Sequence, residues 1–273
     1  MNYTVQTTKY IFKNFFYVLP FAIVPALFLA LSISNDAVQS VLTNLLNGNP
    51  HDSFWNYFQA ISLFNFSSWG TVLSGAIGVV AVIFSVSMLM AFLEKHLRIG
   101  KKTFNGLLSK VNDNLISTFG FAVLCLVIYE VWSVILSALC FLVTGISDVV
   151  VAYVLLGIVY LAMHFVLLYF LSLFYLWLPC MQMTGFKAFE ALRYSYQLVA
   201  PIRVGLIWGQ WVFLLICEGL LALSVILVES ATMSFAVGTV LFTVILLIYC
   251  VRMQIVYFDR AQIERADLKK YNF

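Results

Sequence analysis

Apolar residues run along this chain in blocks far longer than a soluble helix requires. Such runs fall at about 15–34, 69–93, 115–144, 149–178, 204–228 and 233–256. A helix of about 20 apolar residues crosses about 30 Å of hydrocarbon. The pattern therefore predicts an all-α, polytopic integral membrane protein, six transmembrane helices in a single transmembrane domain over 1–273. The longer runs leave room for tilt or an interfacial turn. The first run follows Met1–Asn14 without an early small-residue cleavage site and precedes five others, so it reads as a retained span rather than a signal peptide.

The polar segments between the runs have their own periodicity. In GFKAFEALRYSYQLVAPIR, Gly185 to Arg203, the residues Phe189, Leu192, Tyr196 and Val199 form an apolar stripe at helical spacing. Lys187, Glu190, Arg193 and Gln197 occupy other faces. This predicts an amphipathic elbow on the membrane surface with its stripe docked against the bundle. Pro201 turns the chain into the next span and Arg203 anchors that turn among headgroups. A shift of 85 residues sets Phe104 beside Phe189, Leu107 beside Leu192 and Gly120 beside Gly205. The order of elbow and span recurs in Tyr3–Pro20, which suggests three elbow-plus-hairpin units.

The connection at 35–68 carries Val38, Val41, Leu42, Leu45 and Leu46 at helical spacing until Gly48-Asn49-Pro50 stops the pattern. The aromatic stretch Trp55–Trp69 suits a headgroup boundary. A short interfacial helix and then a re-entrant segment are expected, to shield the mouth of the bundle or to gate it. Asn65-Phe66-Ser67 matches a glycosylation acceptor, a motif common by chance.

Composition agrees with the pattern: 63% of the residues are hydrophobic and 10% charged, too few charges to cover a soluble domain of this length. The net charge is only +3, yet its placement is informative. Lys9 and Lys13 precede the first span; Lys95, Arg98, Lys101, Lys102 and Lys110 follow the second; Lys187, Arg193 and Arg203 follow the fourth; Arg260, Arg265, Lys269 and Lys270 follow the sixth. The alternate connections hold Asp36, Asp52, Asp148 and Glu229 and no lysine or arginine. The positive-inside rule places both termini and the connections 94–114 and 179–203 in the cytoplasm, for a multi-pass protein with N-in and C-in orientation. Charges this sparse form no groove for nucleic acid; the expected partners are membrane lipids and a membrane-protein partner or a second copy. Cys125, Cys140, Cys180, Cys217 and Cys250 lack the paired spacing of a zinc site and read as packing residues. No phosphate-binding loop is present, and no cofactor or metal is expected.

Three ionisable residues, Glu130, His164 and Glu218, fall at similar depth in the predicted spans, where they could meet. Ionised and alone, each would be costly in hydrocarbon, so each must face inward, lose its charge or find a partner. Two roles stay open: polar glue between helices, or a titrating relay or substrate site. A metal site is the weakest alternative, since the ligands show no repeated motif. Arg252, about a turn before the end of the last span, is expected to snorkel to the interface, or to meet anionic headgroups or Glu94. Pro20 and Pro25 free backbone carbonyls in the first span and are candidate bends. His96 reads as a wet interfacial residue, and Ser195, with no histidine beside it in sequence, as a helix contact. With no activated nucleophile defined, catalytic residues are not assigned and an enzyme is disfavoured.

The connector Gly185–Val199 resembles that of a bacterial six-span membrane family, which includes the membrane domain of glycerophosphoryl diester phosphodiesterases and related uncharacterised integral membrane proteins. In that pattern a glycine precedes an alanine-leucine pair, then a serine, an aromatic residue and a leucine, positions held here by Gly185, Ala191, Leu192, Ser195, Tyr196 and Leu198. The tail Tyr257–Arg265, YFDRAQIER, is similar to the family's aromatic-aspartate-basic ending. Ala200-Pro201 stands where the family commonly has a glycine. The resemblance implies the bacterial cytoplasmic (inner) membrane and a transport, lipid-related or accessory role. It lends no catalysis, because the family's phosphodiesterase activity resides in a separate soluble domain. The expected function is a noncatalytic lipid-binding or accessory module using Lys187, Phe189, Leu192, Arg193, Tyr196, Arg203 and Arg252. The alternative is a small transporter or permease subunit using Glu130, His164 and Glu218. A membrane-embedded lipid-modifying enzyme is the least favoured class.

Overall fold

A computed structural model describes residues 3–228 and 231–268; Glu229, Lys269 and Lys270 lie outside the described residues. The helices are α1 (Tyr3–Leu31), α2 (Asn35–Leu46), α3 (Phe54–Ile61), α4 (Trp69–Ile99), α5 (Leu107–Thr144), α6 (Val149–Leu173), α7 (Trp177–Thr184), α8 (Ala188–Val199), α9 (Arg203–Val228) and α10 (Ala231–Arg260). Among the described residues there is no strand. Six stretches are long and apolar enough to cross a bilayer: α1, α4, α5, α6 with α7, α8 with α9, and α10. The chain is an all-α, multi-pass membrane protein.

Several helices outrun the apolar blocks at the end that carries the lysines and arginines, here the basic end. The α-helical ladder needs no apolar side chain, so α4 continues to Ile99 and α5 starts at Leu107. The three predicted elbows differ at their joints. In α1 the backbone leaves helical geometry at Asn14 (φ −122°, ψ 18°), and the Asn14 amide donates to the Tyr10 carbonyl at 2.9 Å. Pro20 and Pro25 are accommodated within the helix, so the break lies at Asn14 rather than at either proline. The second elbow runs into α5 as one helix, whereas a 3₁₀ turn at Ala200–Ile202 separates α8 from α9.

The six long helices close a circuit of neighbours: α1 packs between α4 and α10, α5 between α4 and α6, and α9 between α6 and α10. Close approach of α1 to α4 depends on small residues. A Cβ at Gly78 would stand 2.9 Å from Leu29 Cδ2 and 3.2 Å from the Leu29 backbone nitrogen, and one at Gly75 would stand 3.3 Å from Ser32 Cβ, just past the end of α1, and 2.8 Å from Phe64 Cδ1 in the connection that enters α4. At the basic end Cys250–Phe258 is buried on every face of α10, making this helix the axis of the main core. The basic segments are tied together around it. Arg260 donates to the Leu198 carbonyl at 3.3 Å, Arg265 to Gln6 at 3.1 Å, and Lys110 and Arg98 both pair with Glu94.

At the opposite end α2 and α3 pack on each other, on α9 and on α5 respectively. Two short helices thus stand where one helix and a re-entrant segment were expected. Ser53 caps α3 by accepting from the Asn56 N–H at 3.1 Å. The buried Tyr57 hydroxyl donates to the Pro50 carbonyl at 2.6 Å, and burial pushes its phenol up to about 12, so it remains a donor at neutral pH. Asn65, the residue that the glycosylation motif would use, is also buried, and its side-chain oxygen accepts from the Ser67 N–H at 2.8 Å.

Candidate intramembrane site and the α8 surface

His164 sits fifteen residues into α6 and Glu218 fifteen residues into α9, which runs the opposite way, so each lies about 22 Å from the start of its helix. The His164 Nδ1 is 2.8 Å from the Tyr160 carbonyl one turn earlier. A carbonyl only accepts, so Nδ1 carries a proton. The other ring nitrogen, Nε2, is 3.0 Å from Glu218 Oε1, and the Tyr160 hydroxyl donates to Glu218 Oε2 at 2.6 Å. Trp132 packs edge-on against the imidazole at a centroid distance of 4.8 Å, and its indole N–H donates to the Met163 carbonyl at 2.7 Å. The histidine side chain is 1% exposed and the glutamate 32%, so the pair is anchored on its histidine side and open on its carboxylate side.

Glu130 is engaged elsewhere. Its carboxylate accepts from the Ser62 hydroxyl at 2.9 Å, the Leu63 N–H at 3.0 Å and the Ser133 hydroxyl at 3.3 Å. Next to it the Tyr129 hydroxyl donates to the Ile61 carbonyl at 2.7 Å. These two residues of α5 clamp the chain leaving α3, and among the described residues no hydrogen bond joins Glu130 to His164 or Glu218. The structure therefore unites two of the three residues singled out and adds Tyr160. The sequence held a signal for Tyr160: it lies four positions before His164, on the same helix face.

On α8 the buried face is Ala191, Ser195 and Val199, whose small side chains let the helix lie close to the bundle. The Ser195 hydroxyl accepts from the Leu176 N–H at 3.2 Å and the Trp177 indole donates to the Ala188 carbonyl at 2.8 Å. The expected docking stripe is split: Val199 faces the protein, Leu192 is half-buried, and Phe189 and Tyr196 point away from it at 86% and 49% exposure. Both rings line, with Leu173, Phe174, Leu192, Arg193 and Gln197, a groove of about 530 Å³. The Arg203 guanidinium lies 4.4 Å over the Tyr196 ring. Lys187 is exposed, with its backbone N–H donating to Glu190 at 3.3 Å, which secures the first turn of α8.

Two expectations are corrected. Arg252 does not snorkel: it is 3% exposed, and its guanidinium turns inward to donate to the Thr4 hydroxyl at 3.3 Å, while Glu94 is taken by Lys110 and Arg98. His96 is not wet: it is 5% exposed and its Nδ1 lies 2.6 Å from the Tyr10 hydroxyl, because the amino-terminal turns of α1 cover it. The cysteines are free, four buried and Cys125 half-buried.

The fold and these contacts define the class, a six-helix multi-pass membrane protein with a polar pair inside the bundle and an amphipathic helix at its basic end. Comparison with protein-family models, with curated proteins and with solved structures finds no match to this chain.

Proposed function

We propose that this protein is a lipid-engaging membrane module, with its basic end in the cytoplasm and its α8 elbow as the contact surface. The observation that carries this reading is the two-sided character of α8. The small residues Ala191, Ser195 and Val199 attach it to the bundle, while Phe189 and Tyr196 are turned outward beside Arg193 and Arg203. Apolar rings rimmed by guanidinium groups match an anionic phospholipid, with acyl chain against the rings and headgroup against the cations. An accessory role of this kind is also what the connector's resemblance to phosphodiesterase membrane domains implies. A photo-crosslinker placed at position 189 is expected to label phospholipid, with phosphatidylglycerol favoured several-fold over phosphatidylcholine. Labelling of a polypeptide in place of lipid would refute the reading.

The His164–Glu218 contact supports a second reading, proton carriage within a small transporter, because an imidazole and a carboxyl group lie 3.0 Å apart inside the bundle and Glu218 is open on one side. Glu218→Gln keeps a hydrogen-bonding group and removes the titrating one. Proton-dependent uptake into proteoliposomes is expected to disappear in that variant, and uptake that kept its pH dependence would remove the pair from the path.

A further inference from the structure

A cavity of about 440 Å³ opens at the basic end, between the first turns of α5 and the segment that runs from α7 into α8. Asp113, Asn114, Ser117 and Gly120 enter it from one face of α5, and Trp177, Gln182 and Phe186 from the other side. The donors in its wall are mostly taken. The Ser117 hydroxyl donates to the Asn114 carbonyl at 2.8 Å, the Gln182 amide nitrogen to the Thr118 hydroxyl at 3.0 Å, and the Trp177 indole to the Ala188 carbonyl at 2.8 Å. What these three groups still offer a ligand is oxygen lone pairs and ring surface. Asp113 adds an exposed carboxylate that, among the described residues, has no ion-pair partner.

Asn114 gives the cavity a second, independent mark of a ligand site. It is 7% exposed and lines the cavity, yet its backbone carbonyl takes the hydrogen bonds from Ser117 and Thr118, and among the described residues no group bonds its side-chain amide. A nearly buried amide without a partner costs free energy that a ligand in the cavity recovers. Free acceptors and a negative charge select a ligand that is positive and carries N–H bonds, a primary ammonium. The Trp177 ring and the Phe186 ring, which Tyr194 meets edge-on at 5.7 Å, favour the same charge. An anion would instead meet the Asp113 carboxylate.

Depth identifies the source of the ammonium. Asp113 and Asn114 stand just before the apolar block 115–144, and Gly120 lies inside it, about 10 Å further along α5. The cavity therefore crosses the headgroup boundary with its charge on the outer side. Lys187, exposed between the lining residues Phe186 and Ala188, stands at the rim where a phosphate next to the ammonium would pair with it. At Gly120 a Cβ would meet nothing within 4 Å, so the wall is open on the side of the acyl chains.

We propose that Asp113, Asn114, Ser117 and Gln182 bind the primary ammonium headgroup of a membrane phospholipid. The site is separate from the α8 face that carries Phe189 and Tyr196, and neither depends on the other. The test uses the full-length protein in neutral detergent with an equimolar mixture of phosphatidylethanolamine and phosphatidylcholine, read by native mass spectrometry. Asp113→Asn removes the charge at an exposed position, and Gly120→Leu fills the cavity from a position with open space around it. Phosphatidylethanolamine is expected to be retained on the wild type in preference to phosphatidylcholine, whose quaternary ammonium cannot donate, and at least about tenfold less on both variants. Gly157→Leu, an equally open position on α6, keeps the wild-type retention. Phosphatidylethanolamine held as well by either site variant as by the wild type, or no better than phosphatidylcholine, would overturn the proposal. So would phosphoethanolamine, the headgroup without its chains, raising the unfolding midpoint of the wild type but not of Asp113→Asn, since that assigns the site to a soluble amine.

Discussion

Gly78→Val is expected to cost about 3 kcal/mol of stability, among the largest losses available to a single substitution in this chain. Even a single methyl would come within 2.9 Å of Leu29 Cδ2 and 3.2 Å of the Leu29 backbone nitrogen. The leucine side chain can swing aside, but the backbone of α1 cannot move without opening its contact with α4. In a bilayer that contact gains little from apolar burial, since lipid tails are as apolar as leucine, and it rests on close packing instead. Gly157→Val supplies the control, because a Cβ at Gly157, inside α6, meets nothing within 4 Å. Reversible unfolding in mixed micelles should show the loss at Gly78 and at most a small loss at Gly157. Equal losses at the two positions would show that the close approach to Leu29 is not what makes glycine necessary at Gly78.

His164→Leu is expected to cost a similar amount, about 3 kcal/mol, because it leaves Glu218 with only the Tyr160 hydroxyl. The companion double variant His164→Leu with Glu218→Leu removes the polar requirement from both sides. It should be less destabilised than the sum of the single variants by about 1–3 kcal/mol. Additivity would mean that the 3.0 Å contact is not an energetic coupling. A third of the Glu218 side chain is exposed, so part of the single-variant loss is relieved by turning the carboxyl outward, and the double variant reads the coupling more cleanly.

The fold was legible in the sequence because hydrocarbon thickness is a strict ruler: an apolar block of sufficient length has few alternatives to a spanning helix. The joints were less legible. The bend in α1 was expected at Pro20 or Pro25 but lies at Asn14, where a side-chain amide competes for backbone groups. On α8 two stripes share one helix, large residues at Phe189 and Tyr196 and small ones at Ala191 and Ser195. Size decides between them, since the small stripe permits the closer approach. Within the site, depth along the helices brought His164 and Glu218 into view together. Depth could not separate Glu130, whose partners include the backbone N–H of Leu63, a group that every segment offers. The burial of Arg252 and His96 depends on the first turns of α1 folding over the ends of α4 and α10. Such a long-range contact leaves no periodic trace near either residue.

The central claim is that α8 lies with its Phe189–Tyr196 face in the bilayer. Spin labels placed one at a time along 187–199, with the protein in lipid nanodiscs, test it through collision with oxygen, which concentrates in lipid, and with a water-soluble nickel chelate. Labels at 189 and 196 are expected to collide with oxygen, those at 187 and 190 with nickel, and those at 191 and 195 with neither. Nickel accessibility at 189 and 196 equal to that at 187 would place this face in water and contradict the account.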